Sequence, residues 1–280
     1  MKKYLYSAMV AASLLTLSAC GSDDETPAGK PSTTETQVIG TKNVFPEGLP
    51  SVSSDYKEIV VDDKGRVTKI VDEDGESILF EYLDATRAPQ QFDVIITIME
   101  DGQVDSKLKC VLNKDGFVAS VVQEYGDPED DDDTWTFEYV DKYMTKMTRS
   151  EGDNEVTTIT YNADHDITDV TVVDDDNDRS DIKIRYTGSD VKTALPNKGC
   201  IMLHDDTFDI DLDEMRWAYI AGLLGKATTH LPLSYICTHP NSSSVYTYSF
   251  KWTLNSDNMP VKMEGYDVHG NLDYTMTWKW

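Results

Sequence analysis

From Asp55 onward the chain is a succession of short runs in which apolar and polar residues alternate, with Asp, Asn and Gly between the runs. Trp135, Phe137 and Tyr139 alternate with Thr134, Thr136 and Glu138. Ile182, Ile184 and Tyr186 alternate with Lys183 and Arg185. Tyr246, Tyr248, Phe250 and Trp252 stand opposite Thr247, Ser249, Lys251 and Thr253, and Tyr274, Met276, Trp278 and Trp280 repeat the arrangement at the end of the chain. A period of two predicts strands with one dry and one wet face. Strands buried on both faces would read as unbroken apolar runs, so the pairing is predicted to be antiparallel.

The separators repeat as well. Asp62-Asp63-Lys64-Gly65, Asp74-Gly75, Asn113-Lys114-Asp115-Gly116, Asn255-Ser256-Asp257-Asn258 and Asp267-Val268-His269-Gly270 supply the residues that tolerate the positive φ of tight turns. The expectation is an all-β fold: a twisted antiparallel sheet of repeated hairpins, open or half-barrel, in a single domain over residues 55–280.

One segment departs from the alternation. Between Asp209 and Gly225, Leu212, Met215, Tyr219 and Leu223 fall at helical spacing, and Trp217, Ile220 and Leu224 widen the stripe. Asp211 and Glu214 have the spacing of a capping box, Gly225 is placed for a stop, and Pro232 lies beyond it. An amphipathic helical insert over about 209–225 is predicted, packed in the concavity of the sheet.

The first residues change the picture from fold to address. Lys2 and Lys3 precede an apolar run from about Tyr4 to Leu17, followed by Leu17-Ser18-Ala19-Cys20. A basic start and a short apolar stretch read as a secretory signal over 1–19, too short to span a bilayer, which needs roughly 20 apolar residues. Leu-Ser-Ala-Cys resembles the lipobox of bacterial lipoproteins. The resemblance implies lipidation of Cys20, palmitate among its acyl chains, and attachment to the outer membrane. Residues 20–54, rich in Pro, Ser, Thr, Gly and Glu, are expected to form a flexible tether. Asp23, Asp24 and Glu25 resemble the export signal of surface lipoproteins in some Gram-negative gut bacteria, which implies cell-surface display. The alternative is that these acids only solvate the tether.

The formal net charge of the chain is −26, and loss of the signal with its two lysines makes it −28. Such a body repels polyanions, so a nucleic-acid partner is excluded. The membrane, through the lipid, is the expected partner, with a glycan or protein ligand left open. Beyond Cys20 the cysteines are Cys110, Cys200 and Cys237. An odd number cannot all pair, which leaves either one disulfide, with Cys200–Cys237 favoured, or three buried thiols.

A lipobox-led chain of Asp/Gly hairpins that ends in aromatic strands resembles an uncharacterised Bacteroidales-type family of gut-bacterial surface lipoproteins. These carry a domain of unknown function with a porin-superfamily-like β-sheet. The stretch from Asn197-Lys198-Gly199 through Asp211-Leu212-Asp213-Glu214-Met215 to Leu223-Leu224-Gly225-Lys226 carries the likeness most strongly. It implies a fold and a location, and no reaction.

Chemical signatures are sparse. There is no Gly-x-Ser-x-Gly and no His-Glu-x-x-His. His204-Asp205-Asp206 is the one His–acid cluster of interest, and it reads as a turn with its histidine at the surface. Asp174, Asp176 and Asp178 alternate as in a calcium loop, but the sixth and twelfth places hold Arg179 and Arg185 where Gly and a bidentate Glu are needed. A weak cation site is the most they support, there or at the acidic tip Asp127–Asp133. No catalytic residue and no cofactor is assigned, and the chain is read as a non-enzymatic lipoprotein with a binding or structural role. Three rivals stand beside that reading. The aromatic strands could serve a glycan-binding or glycan-processing protein, the acidic tips a calcium-dependent adhesion module, and the terminal Trp280 an outer-membrane barrel.

Overall fold

The computed structural model describes residues 40–83, 92–127, 131–150, 154–242 and 244–280. The signal over 1–19, Cys20, and Asp23, Asp24 and Glu25 lie outside the described residues, as does the middle of the Asp127–Asp133 tip.

The alternating runs form strands β1 (Val52–Ser53), β2 (Tyr56–Val61), β3 (Val67–Asp72), β4 (Ser77–Tyr82), β5 (Val94–Glu100) and β6 (Gln103–Leu112). They continue as β7 (Val118–Tyr125), β8 (Asp133–Val140), β9 (Tyr143–Arg149), β10 (Val156–Tyr161), β11 (Ile167–Val173) and β12 (Arg179–Arg185). After a small ribbon of β13 (Leu195–Pro196) and β14 (His230–Leu231), β15 (Ser234–His239), β16 (Ser244–Leu254), β17 (Pro260–Tyr266) and β18 (Leu272–Lys279) complete the set. Apart from the ribbon, they make one 16-stranded sheet with β1 and β2 at its two edges. β1 pairs with β18 and β2 with β3, and only Ser54 and Asp55 separate β1 from β2. One short stretch of chain thus carries pairing to both edges, and the sheet is nearly closed as a barrel.

A single turn chemistry recurs between the strands. Asn113 Oδ1 accepts from the N–H groups of Asp115 and Phe117, at 2.9 and 3.1 Å. Asp62, Asp72, Asn162, Asn255 and Asp267 each accept in the same way from residues two and four further on. The fourth residue of each turn has positive φ, which explains Gly65, Gly75, Gly116 and Gly270, with His165 and Asn258 in the same place elsewhere.

The two faces of the wall are opposite in character. Inward positions pair apolar on apolar across neighbouring strands: Ile96 with Leu108, Cys110 with Val121, Phe137 with Met147, Val170 with Ile182. All of these residues are buried. Outward positions carry Thr, Lys, Asp and Glu, with Val60, Leu79, Val140 and Val245 exposed singly among them, and the ion pairs Lys146–Glu138, Lys183–Asp169, Lys262–Glu264 and Lys109–Glu124 run along the wall. A barrel that spans a bilayer shows the reverse, an apolar outer band around a polar interior.

The lumen is filled by the connection between β12 and β15. The N–H of Val118 donates to Leu223 O (2.8 Å), the N–H of Lys226 to Lys142 O (2.9 Å), and the Tyr274 hydroxyl to Asp206 O (3.1 Å). Contacts to β7, the β8–β9 turn and β18 hold the insert against widely separated parts of the wall. Phe208, Ile210, Met215, Ala218 and Leu223 are each no more than 1% exposed.

Two expectations are corrected. The last part of the tether expected over 20–54 is instead packed on the barrel: residues 41–43 form a 3₁₀ turn, Thr41 donates to Gly65 O, and Val44 and Phe45 are buried. The single helix expected over 209–225 is broken into shorter pieces. A helix at His204–Phe208 ends at Asp209 with φ 55°, a 3₁₀ turn spans Asp213–Met215, and a helix spans Arg216–Ile220. The capping box does not form, because Asp211 accepts from the N–H of Asp213 and from Arg149, and Glu214 accepts from Gln123.

Candidate functional site

A cavity of about 290 Å³ lies between the closing stretch of the barrel and the insert. Asp55 and Tyr56 come from the closing stretch, Phe45 and Leu49 from the segment that enters the barrel, and the insert supplies the remaining walls together with Trp278 of β18. The Phe45 and Tyr219 rings meet edge-on, centroids 5.5 Å apart, and the Tyr219 hydroxyl donates to Cys200 O at 2.7 Å. One side of the cavity is therefore aromatic and held in place.

The other side is acidic. Asp55, Asp205, Asp206, Asp211 and Asp213 line it, with Arg216 as the cation among them. Burial, then the charges of Asp205 and Asp55, push the Asp206 carboxyl up to about 6. Asp205 is raised by burial and by Asp211 and Asp209. Asp55 is raised by burial, against the opposing pull of its Ser53 hydrogen bond and of Arg216. These shifts share one physical origin: carboxylates are crowded into a partly desolvated space with too little positive charge.

His204 faces the same space. It is 6% exposed, stands edge-on to Tyr219 at 5.0 Å, and has no hydrogen-bond partner for either ring nitrogen among the described residues. Burial lowers it to about 3, so the ring is neutral. The expected surface histidine is thus corrected. The helix at His204–Phe208 turns His204 inward and leaves Asp205 exposed and Asp206 half-buried.

A polar chain fastens the acidic loop to the wall. Trp135 Nε1–H donates to Gln123 Oε1 (3.0 Å), and Gln123 Nε2–H donates to Glu214 Oε2 (3.2 Å). Burial and Asp213 push Glu214 up to about 7. Arg149 Nη1–H donates to Asp211 Oδ2 at 2.9 Å.

The other candidates from the sequence lie elsewhere. Asp174, Asp176 and Asp178 sit in the β11–β12 turn, where Asp174 Oδ1 accepts the Asp178 N–H (2.8 Å) and Asp178 Oδ1 accepts the Arg179 N–H (2.9 Å). Two of the three carboxylates are therefore engaged in shaping their own turn. Among the described residues, no three His, Cys, Asp or Glu side chains are arranged to hold a metal ion. Cys110, Cys200 and Cys237 are free, which answers the disulfide question in favour of thiols. Burial and Asp209 push Cys237 up to about 12, so it is a thiol even beside His239 Nε2 at 3.5 Å. Trp135, Phe137, Tyr235, Phe250 and Trp278 of the aromatic strands are buried inside the barrel. Sequence reasoning missed Asp55 and Arg216. The His204-Asp205-Asp206 triplet was the one local signal that pointed here.

The architecture is that of a porin-like barrel with a filled lumen. The chain belongs to the family described as a domain of unknown function (DUF4595) with porin-like fold, whose model matches residues 59–262. It is similar to the crystal structure of a porin-like protein from Bacteroides uniformis ATCC 8492, with TM-score 0.57 and 18% identity over 79% of this chain and 88% of that one. A porin-like protein from Bacteroides vulgatus ATCC 8482 is similar as well, with TM-score 0.51 and 12% identity over 83% of this chain and 99% of that one. No curated protein matches.

Proposed function

We propose that this chain is a lipid-anchored protein of the outer membrane, displayed at the cell surface, that binds a ligand in its interior cleft and catalyses no reaction. The observation that carries the reading is the inversion of the wall. A polar outer face suits water, and an insert that fills the lumen leaves a walled cleft in place of a channel. The lipobox-like Leu17-Ser18-Ala19-Cys20 supplies the means of attachment. Stable anchoring takes more than one acyl chain, and lipoproteins of the type it resembles carry three. The buried rings of the strands favour an interior ligand over a glycan stacked on the outer wall.

Cys20→Ser tests the anchor. Wild type is expected to incorporate a palmitate analogue and to partition into detergent. The variant is expected to lose the label and at least nine-tenths of the partitioning. A Cys20→Ser protein that still labels would contradict the reading. Surface display is tested by changing Asp23, Asp24 and Glu25 to Ala, with lower protease accessibility on intact cells expected at equal total protein.

A further inference from the structure

We propose that the interior cleft binds a small organic cation, an amine with an apolar body, with its charged group among Asp55, Asp205 and Asp206 and its body against Tyr219 and Trp278. This deepens the binding role proposed above and rests on it.

Size, charge and an unfilled hydrogen-bonding group each constrain the ligand. A dry cavity of about 150 Å³ holds a benzene ring, so 290 Å³ admits a ring with a short side chain. The carboxylates come from two separate parts of the chain, the closing stretch at Asp55 and the insert at Asp205 and Asp206. Asp55 Oδ2 accepts from the Ser53 hydroxyl at 3.2 Å, a bond within the closing stretch that does not draw it toward Asp205 and Asp206. A bound cation would relieve the repulsion that raises them, and aromatic faces next to it add cation–π attraction.

His204 is the independent pointer. The residue is only 6% exposed and lines the cleft, yet its ring nitrogens are not among the sealed, unpartnered polar atoms of the described residues, so they open onto the cavity. As a neutral ring it offers one donor and one acceptor to whatever enters. An anion would meet several carboxylates against Arg216 alone. A calcium ion needs six to eight oxygens at about 2.3–2.6 Å, and the described residues gather no such set.

The test uses the full mature chain and three probes of one shape, phenethylamine, 2-phenylethanol and phenylacetate, titrated by calorimetry at pH 7.5. The amine is expected to bind at one site, at least tenfold tighter than the alcohol, with no saturable heat from the acid. Asp206→Asn and Asp55→Asn are each expected to weaken the amine at least tenfold while leaving the alcohol within threefold. Two variants guard against one that fails to fold.

Asp55, Asp205, Asp206, Asp211, Asp213 and Arg216 are the charged groups facing the ligand. His204 stays neutral until about pH 3. Asp206, raised to about 6, gains its proton as pH falls through that value, so amine affinity is expected to drop between pH 7.5 and 5. Alcohol and amine binding equally, or phenylacetate binding tighter, would overturn the cation assignment and leave the cleft as a binding site. A calcium isotherm lost in Asp206→Asn would overturn it in favour of a metal. Three silent probes would overturn both this proposal and the interior-cleft reading.

Discussion

Met215→Asp is expected to remove about 5 kcal/mol from the folded state, as much as the whole stability of a marginal domain. Met215 is 0% exposed and lies where the 3₁₀ turn passes into the helix at Arg216–Ile220. Truncating a buried methionine costs roughly 2–5 kcal/mol. A carboxylate there also needs partners that the surrounding apolar core lacks, or must take up a proton. Urea denaturation followed by circular dichroism should show either no folded baseline or a midpoint shifted by several molar. Asp213→Asn, two residues away and exposed, is the control and should change the midpoint little. An unchanged midpoint for Met215→Asp would mean that the insert does not fill the barrel.

Gly225→Val is expected to cost about 3–5 kcal/mol for two reasons that add. Its φ is +86°, a region that a β-branched residue enters only with strain. A Cβ there would also stand 2.8 Å from Lys142 O and 3.1 Å from the Tyr139 ring. The backbone cannot move aside, because the neighbouring Lys226 N–H donates to that same carbonyl and Leu223 O accepts from Val118. Thermal unfolding should show a fall of roughly 6–20 °C, at about 2–4 °C per kcal/mol for a domain of this size. Gly188→Ala, with open space around its Cβ position, should stay within about 0.5 kcal/mol of wild type. Equal effects at the two positions would contradict the seating of the insert against the β8–β9 turn.

What the sequence made legible follows from range. Strand faces are set by neighbours two residues apart, so Trp135 and Phe137 could be assigned inward from the pattern alone, and both are buried. The Asx/Gly turns were equally local. Near-closure was not legible, since nothing in Val52–Val61 announces that its two halves pair with opposite edges of the sheet. The insert's burial could be read from its composition, but its helix could not be read at its true length. Asp209 takes a left-handed φ, Gly222 and Gly225 do the same, and the capping residues were claimed by Arg149 and Gln123, far off in the chain.

The site was the least legible part. Asp55 lies 150 residues from Asp205, and with 51 acidic residues no local rule selects this group. His204, flanked by two aspartates, carried the pattern of a solvated turn. Its burial comes from Tyr219 and the barrel wall, which only tertiary structure brings to it.

The inverted wall is the claim on which the proposed function rests, and one preparation tests it. The Cys20→Ser chain, purified without detergent, should sediment as a single species, melt cooperatively with a β-sheet spectrum, and give no conductance when added to a planar lipid bilayer. Aggregation that only detergent relieves, followed by stepwise conductance in the bilayer, would show that the wall faces lipid and that the barrel is a pore.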